Sequence, residues 1–162
     1  MFSEDFQKPH KNYSPKEAKL KAADFCAYQE RSQQEVRDKL YSYGLHKDEV
    51  EEVLSDLISD NFINEERFAK AYVGGKFRIK KWGRNKILHG LNHHRISNYC
   101  IKKGLQEIDE ASYLSTLESI IIKKKDSLNI TNSFKLNQKL AQYAIQRGYE
   151  PYIVWDMINS LS

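Results

Sequence analysis

A chain of 162 residues with 26 Lys/Arg against 22 Asp/Glu and a net charge of +4 is long enough for one sizeable core, or for several small helical units sharing one. Its 40% apolar and 30% charged residues exclude a disordered polyelectrolyte, and without any run of around 18 apolar residues no membrane span is expected. Met1 to Lys19 holds no apolar stretch resembling a signal peptide, and Cys26 and Cys100 fall inside helical patterns, far apart. They read as core residues of a reduced compartment, the cytoplasm, and not as a disulfide framework or zinc site.

In chain order, Met1 to Tyr13 is polar and reads as a frayed tail. Ser14-Pro15-Lys16-Glu17 opens a helix with Ser as cap and Pro at the first position, and Ala18, Ala22, Phe25 and Cys26 share a face as far as about Gln29. Ser32-Gln33-Gln34-Glu35 is a second capping box, leading Val36 and Leu40 inward, and Gly44 suits a left-handed helix end. A third helix from about Lys47 carries Val50, Val53, Leu54 and Leu57. Asn64 then caps a fourth helix, with Glu65 and Glu66 in its first turn and Ile63 set to pack on Phe68.

On that fourth helix the spacing predicts Phe68, Ala71, Tyr72, Gly75 and Ile79 on one side, with Arg67, Lys70, Arg78 and Lys81 projecting from another. Trp82-Gly83 reads as its end. Gly74-Gly75 in mid-helix costs about 1 kcal/mol per glycine against alanine, which implies either close helix packing or room for a partner's backbone. The next helix turns Ile87, Leu88 and Leu91 inward and Asn85, Lys86, His89 and His93 outward. Tyr113, Leu117, Ile120 and Ile121 form the following stripe, which Lys123-Lys124-Lys125 closes. A helix from about Phe134 to Arg147, Gly148, and a last helix opened by Pro151 complete the chain.

These helices repeat. Val36, Leu40, Leu45, Val50, Leu54 and Leu57 shifted by 51 fall on Ile87, Leu91, Ile96, Ile101, Leu105 and Ile108. Shifted by 104 they fall on Leu140, Ala144, Tyr149, Val154, Ile158 and Leu161, so that all eighteen positions are apolar. Gly44 and Gly148 share a turn position that Arg95 occupies in the middle copy; a positive φ there would strain Arg95. The expected organisation is all-α: a tail at 1–13, an acidic repeat at 14–60, a basic repeat at 61–108 and a third repeat at 109–162.

Charge follows the repeats. Residues 1–66 hold 9 Lys/Arg against 15 Asp/Glu, residues 67–103 hold 11 Lys/Arg and no acid, and residues 104–162 hold 6 against 7. Ordinary exposed helices mix signs, so an acid-free block of this length is the footprint of a polyanion or an acidic protein surface.

The string Phe62-Ile63-Asn64-Glu65-Glu66-Arg67-Phe68-Ala69-Lys70-Ala71-Tyr72 resembles the signature of the RecX family, regulators of the bacterial RecA recombinase. Arg31 to Leu40 resembles that family's first-repeat helix, Lys81-Trp82-Gly83 with Ile87 and Leu91 its middle repeat, and Arg147-Gly148-Tyr149 with Val154 and Ile158 the close of its last. Arg95 departs from the glycine common at its turn. The resemblance implies three tandem three-helix repeats in an elongated, curved molecule. It implies binding in the groove of the RecA filament on DNA, inhibition of ATP hydrolysis and strand exchange, and limited growth or enhanced disassembly of filaments.

The expected contacts with acidic recombinase surface or phosphate are Arg67, Lys70, Arg78, Lys81, Arg84 and Lys86, joined by Lys102 and Lys103. Tyr72 and Trp82 are core aromatics or stacking platforms for a base. His89 and His93 have the i, i+4 spacing of metal ligands, but no acid or cysteine in that helix completes a site. Glu49, Glu52 and Asp56 read as a solvated helix face rather than a two-metal nuclease site. With no phosphate-cradling loop, nucleophile elbow or HExxH motif, the expectation is a monomeric regulator that is not an enzyme and carries no metal or cofactor. It meets DNA directly or through the filament; the alternative is a stand-alone helical nucleic-acid binder on the same face.

Overall fold

The computed structural model describes residues 12–162, which form nine helices and no strand. They are α1 (Pro15–Tyr28), α2 (Gln33–Ser42), α3 (Lys47–Ser59), α4 (Glu65–Arg78), α5 (Arg84–His93), α6 (Asn98–Leu105), α7 (Glu110–Ser127), α8 (Ser133–Gln146) and α9 (Pro151–Ser160). Among the described residues no helix is long and apolar enough to cross a membrane. The chain divides into two compact units, Met1–Phe68 and Ala69–Ser162.

In the first unit, local chemistry starts each helix. The Ser14 hydroxyl accepts from the Glu17 N–H at 3.2 Å, Ser32 and Glu35 close a reciprocal capping box, and Glu49 accepts from the His46 N–H at 3.2 Å. The core gathers Ala18, Ala22 and Cys26 of α1, Val36 and Leu40 of α2, and Val50, Val53, Leu54 and Leu57 of α3, with Leu45 and Ile63 beside them. The expected tail lies for residues 1–11 outside the described residues. At Tyr13 it is corrected: the backbone N–H donates to the Tyr43 carbonyl at 3.0 Å, and the two rings meet edge to face. At the close of the unit, Asn61 adopts φ 63°, and Asn64 Oδ1 accepts from the Arg67 N–H at 2.9 Å, capping α4 as its sequence predicts.

The second unit continues α4 and holds α5 to α9. Here the structure corrects the orientation of α4. The residues it buries are Phe68, Ala69, Val73, Gly74 and Phe77, whereas Ala71 is exposed, Tyr72 and Gly75 are half-buried, and Ile79 is 78% exposed. The helix also stops at Arg78; Lys81 then takes a left-handed φ of 59°, and Gly83 becomes the N-cap residue of α5. Packing on α6 is close where Gly104 faces Ala69: a Cβ on Gly104 would stand 2.9 Å from the Ala69 carbonyl oxygen. Gly74 and Gly75 show no such backbone contact: a Cβ on Gly75 would meet nothing within 4 Å, and the three atoms nearest one on Gly74 belong to the Arg78 guanidinium.

The repeat register survives as burial. All eighteen equivalent positions are buried except Leu105 and Leu161, which are half-buried at the ends of their helices. The equivalent turns are also alike in backbone, with φ of 89° at Gly44, 57° at Arg95 and 102° at Gly148. Arg95 therefore carries the strain that glycine avoids. Replacing Arg95 with Gly is expected to raise the urea midpoint, by about 1 kcal/mol of stability; an unchanged or lower midpoint would show that the turn is unstrained.

Candidate functional site

The segment from Lys80 to Arg84, between α4 and α5, is fastened from both sides to the turn between α8 and α9. The Gly83 N–H donates to the Arg147 carbonyl and the Asn85 N–H to the Gly148 carbonyl, both at 2.8 Å. In return Arg147 Nη2 donates to the Lys80 carbonyl at 2.9 Å, and the Tyr149 hydroxyl to the Lys81 carbonyl at 3.0 Å. Beneath it the rings of Phe77, Tyr113 and Tyr149 stack in sequence, with centroids 5.8 and 5.0 Å apart. The carbonyls of Lys80 and Lys81 are thus held by side chains more than sixty residues away.

Two of the eight expected contact residues are committed internally. Arg84 lies with its guanidinium 3.9 Å from the Tyr113 ring centroid, pairs with Glu150 at 2.8 Å and pairs with Glu110. Its backbone N–H donates to the Tyr113 hydroxyl at 3.0 Å, and that hydroxyl donates to Glu150. Burial alone would push the Arg84 guanidinium down, but the hydrogen bond and charge of Glu150, with Glu110, outweigh it and hold it above its ordinary value. Burial, reinforced by the Glu150 bond, pushes the Tyr113 hydroxyl far up, and burial pushes that of Tyr149 up to about 12. Arg67, in the first unit, pairs with Glu30 and donates to the Asn61 and Phe62 carbonyls at 3.1 and 3.3 Å. It fastens the turn before α4.

Lys70, Arg78, Lys81, Lys86 and Lys102 are exposed, and Lys103 is half-buried with its ammonium 5.6 Å from the Tyr99 ring centroid. Arg78 and Lys81 are brought together, the Lys81 ammonium donating to the Arg78 carbonyl at 3.3 Å. Lys86 joins a residue the sequence reading passed over: Lys86 and Lys76 place their ammonium groups 4.6 and 4.8 Å from the Trp82 ring centroid. Trp82 is thus an anchor for two cations rather than a free stacking platform. Lys76 was detectable in principle, six residues before a tryptophan with a turn between. His89 and His93 are exposed, and no cluster of three or more His, Cys, Asp or Glu suited to a metal occurs among the described residues.

The structure thus brings Arg78 together with Lys81, and Lys86 together with Lys76 at Trp82; such cations can hold phosphates or acidic side chains but offer no acid–base pair. Family models for the first and second three-helix domains of RecX match residues 18–57 and 64–105, respectively. The chain belongs to the RecX family. It is 31% identical over 137 residues to the regulatory protein RecX of Clostridium perfringens (strain 13 / Type A), covering 81% of this chain and 60% of that one. It is 27% identical over 150 residues to that of Bacillus mycoides (strain KBAB4), covering 93% and 56%. The chain thus spans less than two thirds of the length of these RecX relatives. The crystal structure of RecX from Lactobacillus salivarius superposes with a TM-score of 0.79 at 22% identity, covering 91% of this chain and 96% of that one. That likeness places the nine helices in the RecX fold.

Proposed function

We propose that this chain is a non-enzymatic regulator that binds the RecA–DNA filament and inhibits its ATPase and strand-exchange activities, limiting filament growth or promoting disassembly. The observation that carries the reading is the acid-free run of eleven Lys/Arg over residues 67–103 in a chain of the RecX family. Arg67 and Arg84 serve the fold, so the proposed docking face consists of Lys70, Arg78, Lys81, Lys86, Lys102 and Lys103. A block of like charges steers an anionic partner and raises its association rate. The division into repeats at 14–60, 61–108 and 109–162 is part of the same proposal.

The triple variant Lys70→Glu, Arg78→Glu, Lys81→Glu tests it. In a DNA-stimulated ATPase assay of the recombinase, half-inhibition is expected to need more than about tenfold more of the variant than of the parent. Matching circular dichroism and unfolding midpoints guard against a folding defect. Full inhibition by a folded triple variant would remove this face as the docking surface. A parent chain that binds bare DNA tightly, with a steep salt dependence, and leaves the recombinase uninhibited would instead be a stand-alone nucleic-acid binder.

A further inference from the structure

The second unit contains a cationic groove that the docking face does not account for. It has a volume of about 520 Å³ and lies among the segment following α4, the C-terminal half of α7, and α8. Lys80, Lys81, Lys123, Lys124 and Arg147 line it, and no carboxylate does. Of these only Lys81 belongs to the proposed docking face. Among the described residues, no ion pair engages Lys80, Lys123 or Lys124. The groove also has apolar walls: Ile79, 78% exposed, from the segment after α4, Ile120 from α7, and the ring of Tyr143 from α8. An exposed branched aliphatic among five cations is an uncovered apolar surface in a strongly positive field.

We infer that this groove is a docking site for a short acidic peptide segment carrying an apolar side chain. Charge alone would admit any polyanion; the walls discriminate. A single nucleic-acid strand held without base readout needs open aromatic faces on which its bases stack. The one aromatic ring lining the groove, Tyr143, is taken up by the Lys124 ammonium 4.7 Å from its centroid and the Arg147 guanidinium at 5.7 Å. Besides Ser119 and Ser127, the uncharged wall that remains is aliphatic, Ile79 and Ile120, suited to a Leu or Ile side chain. Arg147 is held by its bond to the Lys80 carbonyl, so the two sides of the groove are tied together and the site is pre-organised. This inference does not depend on the recombinase reading, because the groove acts on a peptide without filament or DNA.

The test is fluorescence anisotropy of a labelled short peptide of alternating Glu and Leu, added to the full chain. Saturable binding is expected, weakened at least about tenfold by Lys123→Glu with Lys124→Glu, and weakened by Ile79→Ser, whose exposed side chain can be changed without cost to the core. A peptide with Ser in place of Leu is expected to bind more weakly, and Lys125→Glu, outside the groove lining, to change nothing. The inference is overturned by an absence of saturable binding, by equal losses in the Lys125 and double variants, or by an oligothymidylate that binds as tightly and loses as much affinity with Ile79→Ser.

Discussion

The Gly83→Ala variant is expected to lose about 3 kcal/mol of stability, which places it with the severe small-to-large substitutions. Its backbone angles, φ −77° and ψ 167°, suit any residue, so the loss comes from space alone. A Cβ at Gly83 would stand 2.3 Å from the Gly148 carbonyl carbon and 2.3 Å from the Tyr149 nitrogen, both backbone atoms that no side-chain rotation can move aside. Relief requires the two backbones to separate, and that breaks the two 2.8 Å bonds to the Arg147 and Gly148 carbonyls. Urea unfolding measures the loss. Gly75→Ala is the internal control: with nothing within 4 Å of its Cβ it is expected to gain about 1 kcal/mol. Equal midpoints for the parent and Gly83→Ala would show that the α4–α5 turn is not pinned against Gly148.

Arg84→Met is expected to cost a comparable amount, about 3 kcal/mol. The Glu150 side chain is only 14% exposed and loses its sole cationic partner among the described residues, while the Glu110 side chain, 64% exposed, turns to water at little cost. The loss therefore lies in stranding one buried carboxylate, not in the count of ion pairs. A double variant, Arg84→Met with Glu150→Gln, is expected to recover more than half of it, since the buried charge is gone and the amide oxygen still accepts from the Tyr113 hydroxyl. That double variant also separates structure from function: once refolded it should inhibit the recombinase as the parent does. Inhibition lost in a folded double variant would return Arg84 to the docking face.

Why Arg84 and Arg67 could not be sorted from the sequence is a matter of distance along the chain. Nothing local distinguishes an exposed arginine from one whose carboxylates arrive 26 and 66 residues later, as Glu110 and Glu150 do. The caps were legible because they are local: Ser14, Ser32 and Asn64 each bond an N–H three residues on. The repeat register was legible because similar turns and burial recur three times, even with Arg95 where the other two copies have glycine. The face of α4 was not. Phe68, Ala71, Tyr72 and Ile79 offer one apolar stripe, Phe68, Ala69, Val73 and Phe77 another, and neighbours far along the chain, Gly104 against Ala69 and Tyr113 against Phe77, select the second. The cationic groove was hidden for a similar reason, since Lys123, Lys124 and Arg147 lie outside the acid-free block.

In a filament complex, the proposed docking face at residues 67–103 would be covered by the recombinase. Lysine footprinting tests it most directly: acetylation of the free chain and of the chain bound to recombinase filaments, read residue by residue. Strong protection is expected at Lys70, Lys81, Lys86 and Lys102, all exposed in the free chain, and little change at the exposed Lys16, Lys21 and Lys47 in the net-acidic stretch 1–66. Protection confined to the first repeat, or spread evenly over both, would contradict it.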